Sequence, residues 1–389
     1  MRKLNAIISS KFNRSFVLTS IHRAPTISRV ELAGQTGLGK SAITHILQDL
    51  LGDDLVEEAH KMESRRKGGG RPRILLRVKY RSRFIVCVEI DLAEVIGVIA
   101  DLAGEEVHRV VLPVAKLEPI DTVLTRVIDR LKETAPAEFA AAVIIGVSAP
   151  GAVDGAAGVL LYNMYHNWRN FEMVKFLNER YGLAAFVENN AKLGALGELH
   201  HLRTRTPIQT LIYLYIRESP SGRAASPLAI GGAAILNGAI WRGANCYAGE
   251  VSRSINMPYL AAFGELAARN KSMAEISFHD LLQRAAAGDA DARGPVDCLA
   301  SFTGAVIGQI STFLDPEGVV IHFRPSDAAP MLIPGIEAAF QKNFHHMSFA
   351  KGSLIPAQRG DRAQIEGIVH MAQQEIFIDD SGKNSILIP

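Results

Sequence analysis

Lys40, Ser41, Thr44 and His45 are side chains able to read a nucleic acid, and they fall within one short stretch. Ile43, Ile46, Leu47 and Leu50 recur through the same stretch at helical spacing. The four polar residues lie off that apolar stripe, so on a helix they stay exposed and can hydrogen-bond base edges or phosphate oxygens. A second group follows at once: residues 61–83 hold ten basic side chains against one acidic. Arg65, Arg66, Lys67, Arg71 and Arg73 surround Gly68-Gly69-Gly70 and Pro72. Cationic groups on so thin a backbone suit a minor groove, whose negative potential deepens in A·T-rich sequence.

These residues need elements to position them. Leu4, Ile7, Ile8, Phe12, Phe16, Val17 and Ile21 follow a helical repeat that ends before Pro25. Ser28-Arg29-Val30-Glu31 has the form of a capping box, starting a short helix that carries Leu32 and Ala33 inward. Thr36-Gly37-Leu38-Gly39 makes a tight turn, in which Gly37 can take positive φ without steric cost. A second helix then runs over Lys40 to Leu51. Helix, short turn, helix is the helix-turn-helix arrangement, whose second helix enters the major groove. It equally describes a helical hairpin with a solvated polar face. The next segment separates the two readings. Leu55–Glu58 and Ile74–Val78 read as short strands flanking the basic Gly-rich run, which makes a hairpin wing. A solvated linker is the alternative, but directly behind a helix-turn-helix the winged-helix reading is the better one.

Composition agrees with that division. The chain has 389 residues and a formal charge of +2, but residues 1–83 carry 17 Lys and Arg against 7 Asp and Glu, or +10. The other 306 carry 25 against 33, or −8. A basic arm on an acidic body points to a nucleic acid as the partner of the arm without saying which, and the winged-helix reading makes it double-stranded DNA. At 48% hydrophobic residues the chain has ample material for a core, which excludes wholesale disorder. No apolar run approaches ~18 residues, so no membrane span is expected. Met1 to Asn5 lead into a polar-interrupted segment instead of a signal core, so a cytoplasmic location is expected. Cys87, Cys246 and Cys298 are too few and too scattered for a disulfide framework. The histidine pairs His200-His201 and His345-His346 read as surface pairs without ligand spacing.

From Phe84 the pattern changes. Phe84–Ile90, Val95–Asp101 and Glu106–Val114 read as strands, and Ile120, Val123, Leu124, Val127, Ile128 and Leu131 as a helical stripe. Ala141–Ser148 is a continuous apolar run, as in a buried strand. The order recurs in strands Thr210–Ile216, Ala229–Leu236 and Ala239–Arg242, a helix from Leu299 to Leu314, and a strand Gly318–Phe323. Two such halves imply a duplicated α/β body with a cleft between lobes.

Several stretches, in order, resemble the ROK family of sugar kinases and winged-helix repressors. They are Ser28–Leu50 with the Gly-Gly-Arg-Pro wing, Ile145–Asp154, Val187–Lys192, Leu236-Asn237-Gly238 with Arg242-Gly243-Ala244, Ala248-Gly249-Glu250, and Leu314–Glu317. The resemblance implies an α/β chain with a winged helix-turn-helix at 1–83. Behind it stands a duplicated actin-like, sugar-kinase-like (ribonuclease H-like) two-lobe body. Its lobes would span 84–205 and 206–389, with the C-terminal segment returning to the first lobe. The resemblance further implies a sugar-responsive repressor acting as a homodimer or tetramer on a DNA operator.

The departures from the family pattern bear on activity. ROK kinases carry Glu-Asn-Asp in the cleft, the Asp serving as general base; here the matching residues are Glu188-Asn189-Asn190, and an amide cannot take the proton. Both glycine-rich phosphate loops are altered, to Glu89–Glu94 and Glu218–Arg223, and Glu94 would repel phosphate. Loss of the base and both loops predicts no catalysis, no catalytic residue and no cofactor. Many relatives place a zinc site after Ala-Gly-Glu, but here Arg253 stands at the His position and no cysteines follow, so no metal is expected. The resemblance places Asn163, Glu188, Asn189, Asn190, Glu250 and Arg253 around a sugar or sugar-derivative effector, with Trp168 near enough to stack on its ring. Arg253 either pairs with an anionic group of the effector or forms a salt bridge to Glu250; the salt bridge is preferred. The rival functions are a residual sugar kinase and a body serving only oligomerisation or protein docking.

Overall fold

The computed structural model describes residues 2–62, 73–218, 220–324, 326–344, 354–377 and 387. Arg65, Arg66, Lys67 and Arg71 lie outside the described residues, as do His345 and His346, and of Arg73 only the backbone is described.

The chain begins with α1 (Arg2–His22), β1 (Ile27–Ser28), α2 (Arg29–Thr36), α3 (Lys40–Gly52), β2 (Val56–Met62) and β3 (Arg73–Val78). Both halves of the capping box form. Glu31 N donates to Ser28 Oγ at 3.4 Å, and Ser28 N donates to Glu31 Oε2 at 2.8 Å, so α2 starts where the sequence says. Gly37, at φ 69°, ends it in the left-handed conformation that a residue with Cβ rarely takes. Leu18, Ile21, Leu32, Ile43, Leu47, Leu50 and Leu76 are buried together, and β1, β3 and β2 close the unit as an antiparallel sheet in that order.

Beyond the turn Tyr80–Ser82 come β4 (Phe84–Ile90), β5 (Glu94–Asp101), β6 (Glu106–Pro113), α4 (Ile120–Thr134), α5 (Pro136–Ala140) and β7 (Ala142–Ala149). β8 (Ala152–Asp154), β9 (Val159–Asn163) and β10 (Trp168–Phe171) make a small antiparallel sheet before α6 (Met173–Tyr181), β11 (Ala184–Asn189) and α7 (Asn190–Arg203). Next are β12 (Leu211–Arg217), β13 (Ala229–Leu236), β14 (Ala239–Ile240), α8 (Ser252–Arg269), α9 (Phe278–Ala286), α10 (Ala290–Leu314) and β15 (Gly318–Arg324). α11 (Ala329–Phe344), β16 (Leu354–Pro356) and α12 (Ala363–Ile376) follow.

Two five-stranded sheets result, ordered β6-β5-β4-β7-β11 and β14-β13-β12-β15-β16. The same pattern recurs in each: the first strand pairs antiparallel with the second and parallel with the fourth. α4 covers the outer face of the first sheet through the stripe read from the sequence, Ile120 to Leu131. α8, α9, α10 and α11 form the outer layer of the second. α7 and α12 pack on each other between the sheets, α7 against β12 and β13 and α12 against β4 and β7. Gly197 of α7 and Gly367 of α12 permit that contact, since a methyl on either would overlap the Ala363 or Leu193 carbonyl.

Two element boundaries differ markedly from expectation. α10 begins at Ala290 and not at Leu299, because Asp289 caps it and the helix continues past Pro295. β14 stops at Ile240, because Arg242 turns away to Glu188. α10 is also, by length and composition, apolar enough to cross a membrane, although the sequence holds no uninterrupted apolar run of that length. In the fold it packs against α8, α9 and α11, with Leu299, Thr303 and Ile307 buried.

Candidate nucleic-acid interface and ligand cleft

α3 buries Ile43, Ile46, Leu47 and Leu50 and leaves Lys40, Ser41 and His45 exposed on its other side. Thr44 is only half exposed, and its Oγ1 donates back to Lys40 O at 2.9 Å, which leaves the hydroxyl only as an acceptor. Gln48 is exposed on the same side, one turn after Thr44, and reasoning from the sequence passed over it. Gly39 at the N-cap gives no side chain to the first-turn N–H groups, which stay available to an anion. The hairpin β2–β3 stands beside this helix, held across its strands by Arg77 Nε to Glu57 Oε1 at 2.6 Å.

The cleft residues are brought together, but most are already engaged. Asn189 caps α7, its Oδ1 accepting from Ala191 N and Lys192 N, while its Nδ2 donates to Gly151 O at 2.8 Å. Asn163 is buried, donating to Pro150 O at 3.1 Å and accepting from His166 N at 2.8 Å. The two amides thus hold the Pro150-Gly151 loop from both sides. Asn190, half buried at the start of α7, keeps its Nδ2 without a protein partner among the described residues. Glu188, 0% exposed, is paired with Arg242 from the second sheet, Nε to Oε2 at 2.6 Å. Beside it Lys192, 2% exposed, donates to Cys246 O at 3.2 Å.

Two expectations fail here. The Glu250–Arg253 salt bridge does not form: Arg253 is exposed, and no ion pair engages it among the described residues. Glu250 answers to Lys192 instead; desolvation raises its carboxyl above the usual range and Lys192 draws it down. Nor is Trp168 open for stacking. It is buried with Nε1 donating to Glu118 O at 2.7 Å, and His166 stacks on its ring with centroids 4.2 Å apart.

The other corner of the cleft is filled by charge. Arg324 Nη1 donates to Asp91 Oδ2 at 2.8 Å and Nη2 to Glu94 Oε1 at 2.7 Å. The same guanidinium lies 3.5 Å from Glu89 Oε1 and 3.5 Å from Asp361 Oδ1. Arg217, paired in register with Arg324, also reaches Asp91. Behind them Tyr213 Oη and His322 Nδ1 share a hydrogen bond at 2.7 Å, and His322 Nε2 sits 3.5 Å from Asp361. Burial raises the Glu89 carboxyl to about 7, with Arg324 acting in the opposite direction. Glu94 therefore faces a guanidinium and not an open phosphate pocket. Sequence reasoning missed Arg217, Arg324, His322 and Asp361. The available signal was alternation: Tyr213, Tyr215 and Arg217 on one strand, His322 and Arg324 on another, share a face of strands that are otherwise apolar.

Known proteins share this fold. Residues 85–257 match the family model described as the ROK family. The chain is 22% identical over 377 residues to the xylose repressor of Bacillus spizizenii, covering 92% of this chain and 94% of that one. A crystal structure described as a ROK family transcriptional regulator, homolog of the E. coli MLC protein, superposes with a TM-score of 0.68 at 20% identity. It covers 94% of this chain and 98% of its own. A ROK family glucokinase from Streptomyces griseus, solved with glucose and AMPPNP, shares the fold at TM-score 0.60 and 18% identity over 75% of this chain and 99% of its own. Over residues 85–257 the chain carries a ROK family domain.

Proposed function

We propose that the chain is a DNA-binding transcriptional repressor controlled by a sugar or sugar derivative. Residues 1–83 act as a winged helix-turn-helix; 84–205 and 206–389 act as the lobes of a duplicated body, with α12 returning to the first. The observation that carries the reading is the exposed face of α3, with Lys40, Ser41 and His45 beside the basic hairpin. A chain whose relative over 92% of its length is a xylose repressor supports it. A homodimer would present two copies of α3 to two half-sites of a palindromic operator.

The effector would sit over Asn190, with Glu250 and Arg253 at the rim and Glu188, Asn189 and Asn163 holding the walls. Asn163 and Asn189 shape the loop more than they offer donors, because their amides are already spent. The body performs no phosphoryl transfer: Asn190 cannot accept a hydroxyl proton, and carboxylates occupy the corner that phosphates would need. The effector acts by binding one lobe arrangement better than another, since equal affinity would shift nothing.

Selection of bound fragments from genomic DNA tests the reading. A sequence-preferring complex should appear, weakened by Lys40→Ala with a fall of about 1 in the salt slope. Binding without sequence preference, or sugar-dependent ATP hydrolysis, would overturn it.

A further inference from the structure

We propose that Arg324, with Arg217 beside it and carboxylates from two other elements around it, is an interlobe latch that must break before the lobes can part. Three carboxylates come from the end of β4 and the start of β5: Glu89, Asp91 and Glu94. The fourth, Asp361, comes from the turn that leads into α12. Both guanidiniums come from the second sheet, at the ends of neighbouring parallel strands. Every pair that Arg324 makes with the first sheet therefore crosses from one sheet to the other. Its side chain is 17% exposed, so water does little to replace those pairs while the cleft is shut.

The latch is unbalanced. Four carboxylates face two guanidiniums. Arg109 on β6, the next cation, is engaged by Glu106 through two hydrogen bonds of 2.7 and 2.9 Å. His322 faces Asp361, and Tyr215 Oη accepts from Arg324, so neither answers Glu89 directly. On β7, the facing Ser148 has a buried Oγ with no hydrogen-bond partner among the described residues. Glu89 Oε2 is likewise buried without a hydrogen-bond partner among the described residues. Among the carboxyls in excess, Glu89 is the one with a buried oxygen left over, and burial holds it up at about 7. Closure takes up a proton that an open cleft, with Glu89 hydrated, would release at lower pH. The shut arrangement is therefore favoured below that value and weakens as pH rises through about 7.

The latch also has a line to the N-terminal unit. Glu198 on α7 accepts from the backbone N–H of Gln358, Arg359 and Gly360, fixing the turn that carries Asp361. At the other end of α12, Phe377 stacks on His22 of α1 with ring centroids 3.8 Å apart. One helix therefore has the latch at its start and the N-terminal unit at its end.

Hydrogen–deuterium exchange on the full chain, corrected for intrinsic rates, tests this. Glu94→Gln and Arg324→Gln should raise exchange at residues 91–93 and 358–362 at least tenfold while α2 and α3 stay protected. Arg324→Lys should fall between, because an ammonium cannot hold two carboxylates in a fork. Between about pH 6 and about pH 8 the wild-type opening equilibrium should rise on the order of tenfold, and Glu89→Gln should abolish the rise. Unchanged protection in Glu94→Gln overturns the latch; that residue is partly exposed, so the result is decisive even if Arg324→Gln fails to fold. A flat wild-type pH profile overturns its proton sensitivity. The latch does not depend on the repressor reading, but its line to DNA does. Loosened exchange with unchanged affinity for a selected operator would sever that line, whereas a wild type that selects no operator would fail the repressor reading alone.

Discussion

The molecule has two joints, and they are built from opposite materials. Between the N-terminal unit and the first sheet, Ile21, Leu76, Val78, Leu102, Ile376 and Phe377 belong to one continuous buried cluster. Tyr80 lies edge-on to His22, and Leu102 N donates to Tyr80 O at 3.0 Å. Between the two sheets, by contrast, the contacts at the cleft mouth are Arg242–Glu188, Lys192–Cys246 and the Arg324 cluster. Apolar contact is short-ranged, indifferent to salt and lost all at once. Ionic contact is screened, titratable and can be re-formed with another partner. The N-terminal unit is thus held to the first sheet by contacts that salt does not weaken, and the joint that salt can loosen is the one between the sheets.

Changes at each joint should separate the two. The largest effect is expected from Ile376→Ala, which removes a fully buried side chain from the apolar joint. It should cost about 2–5 kcal/mol in urea unfolding, equally at low and high salt. Arg242→Ala should cost less, about 1–2 kcal/mol, because Arg242 is one-third exposed although Glu188 is not. That loss should shrink at high salt, and a salt-independent loss would erase the contrast.

Acid should separate the joints by sign. Burial lowers the His22 imidazole to about 4 and leaves its Nδ1 unpartnered. The folded state therefore resists the proton. Its contribution is complete above the ordinary histidine value near 6.5 and drains away as pH falls toward about 4. The apolar joint should weaken on acidification and the ionic one on alkalinisation. In unfolding measured at several pH values, His22→Phe should remove the acid-side loss and leave the other limb alone. The smallest effect is expected from Lys79→Ala, which breaks an exposed pair with Asp54 at 2.6 Å beside the apolar joint. It should stay within about 1 kcal/mol, and a larger loss would mean that charge matters there after all.

The same contrast explains what could be read from sequence. The N-terminal unit is specified by neighbours: Ser28 with Glu31, Gly37 at a turn, and an apolar stripe on α3. Such signals lie within one or two helical turns, so the boundaries of α2 and α3 were predictable. The cleft is specified by partners far apart in the chain, Arg242 and Glu188 by 54 positions and Arg324 and Asp91 by 233. No local pattern announces such a pair. Family likeness pointed to Asn163, Glu188, Asn189 and Asn190, but it could not say that two of the amides are engaged by the Pro150-Gly151 loop. The preferred pair of Arg253 with Glu250 rested on the family pocket, and in the fold Arg253 is exposed with no ion pair among the described residues. α12 was missed as a helix, yet it links the two joints.

Gly197 and Gly367 carry one more consequence. Because main chain meets main chain where α7 and α12 cross, a displacement of either helix is passed to the other with no layer of side chains to absorb it, as along one beam. One part of that beam is the floor of the cleft at Asn190, and another is the seat of the N-terminal unit at Phe377. A ligand resting on the floor would be felt at the seat as rotation of a rigid lever, with the far lobe as the moving weight. No chain of small side-chain adjustments is needed between them.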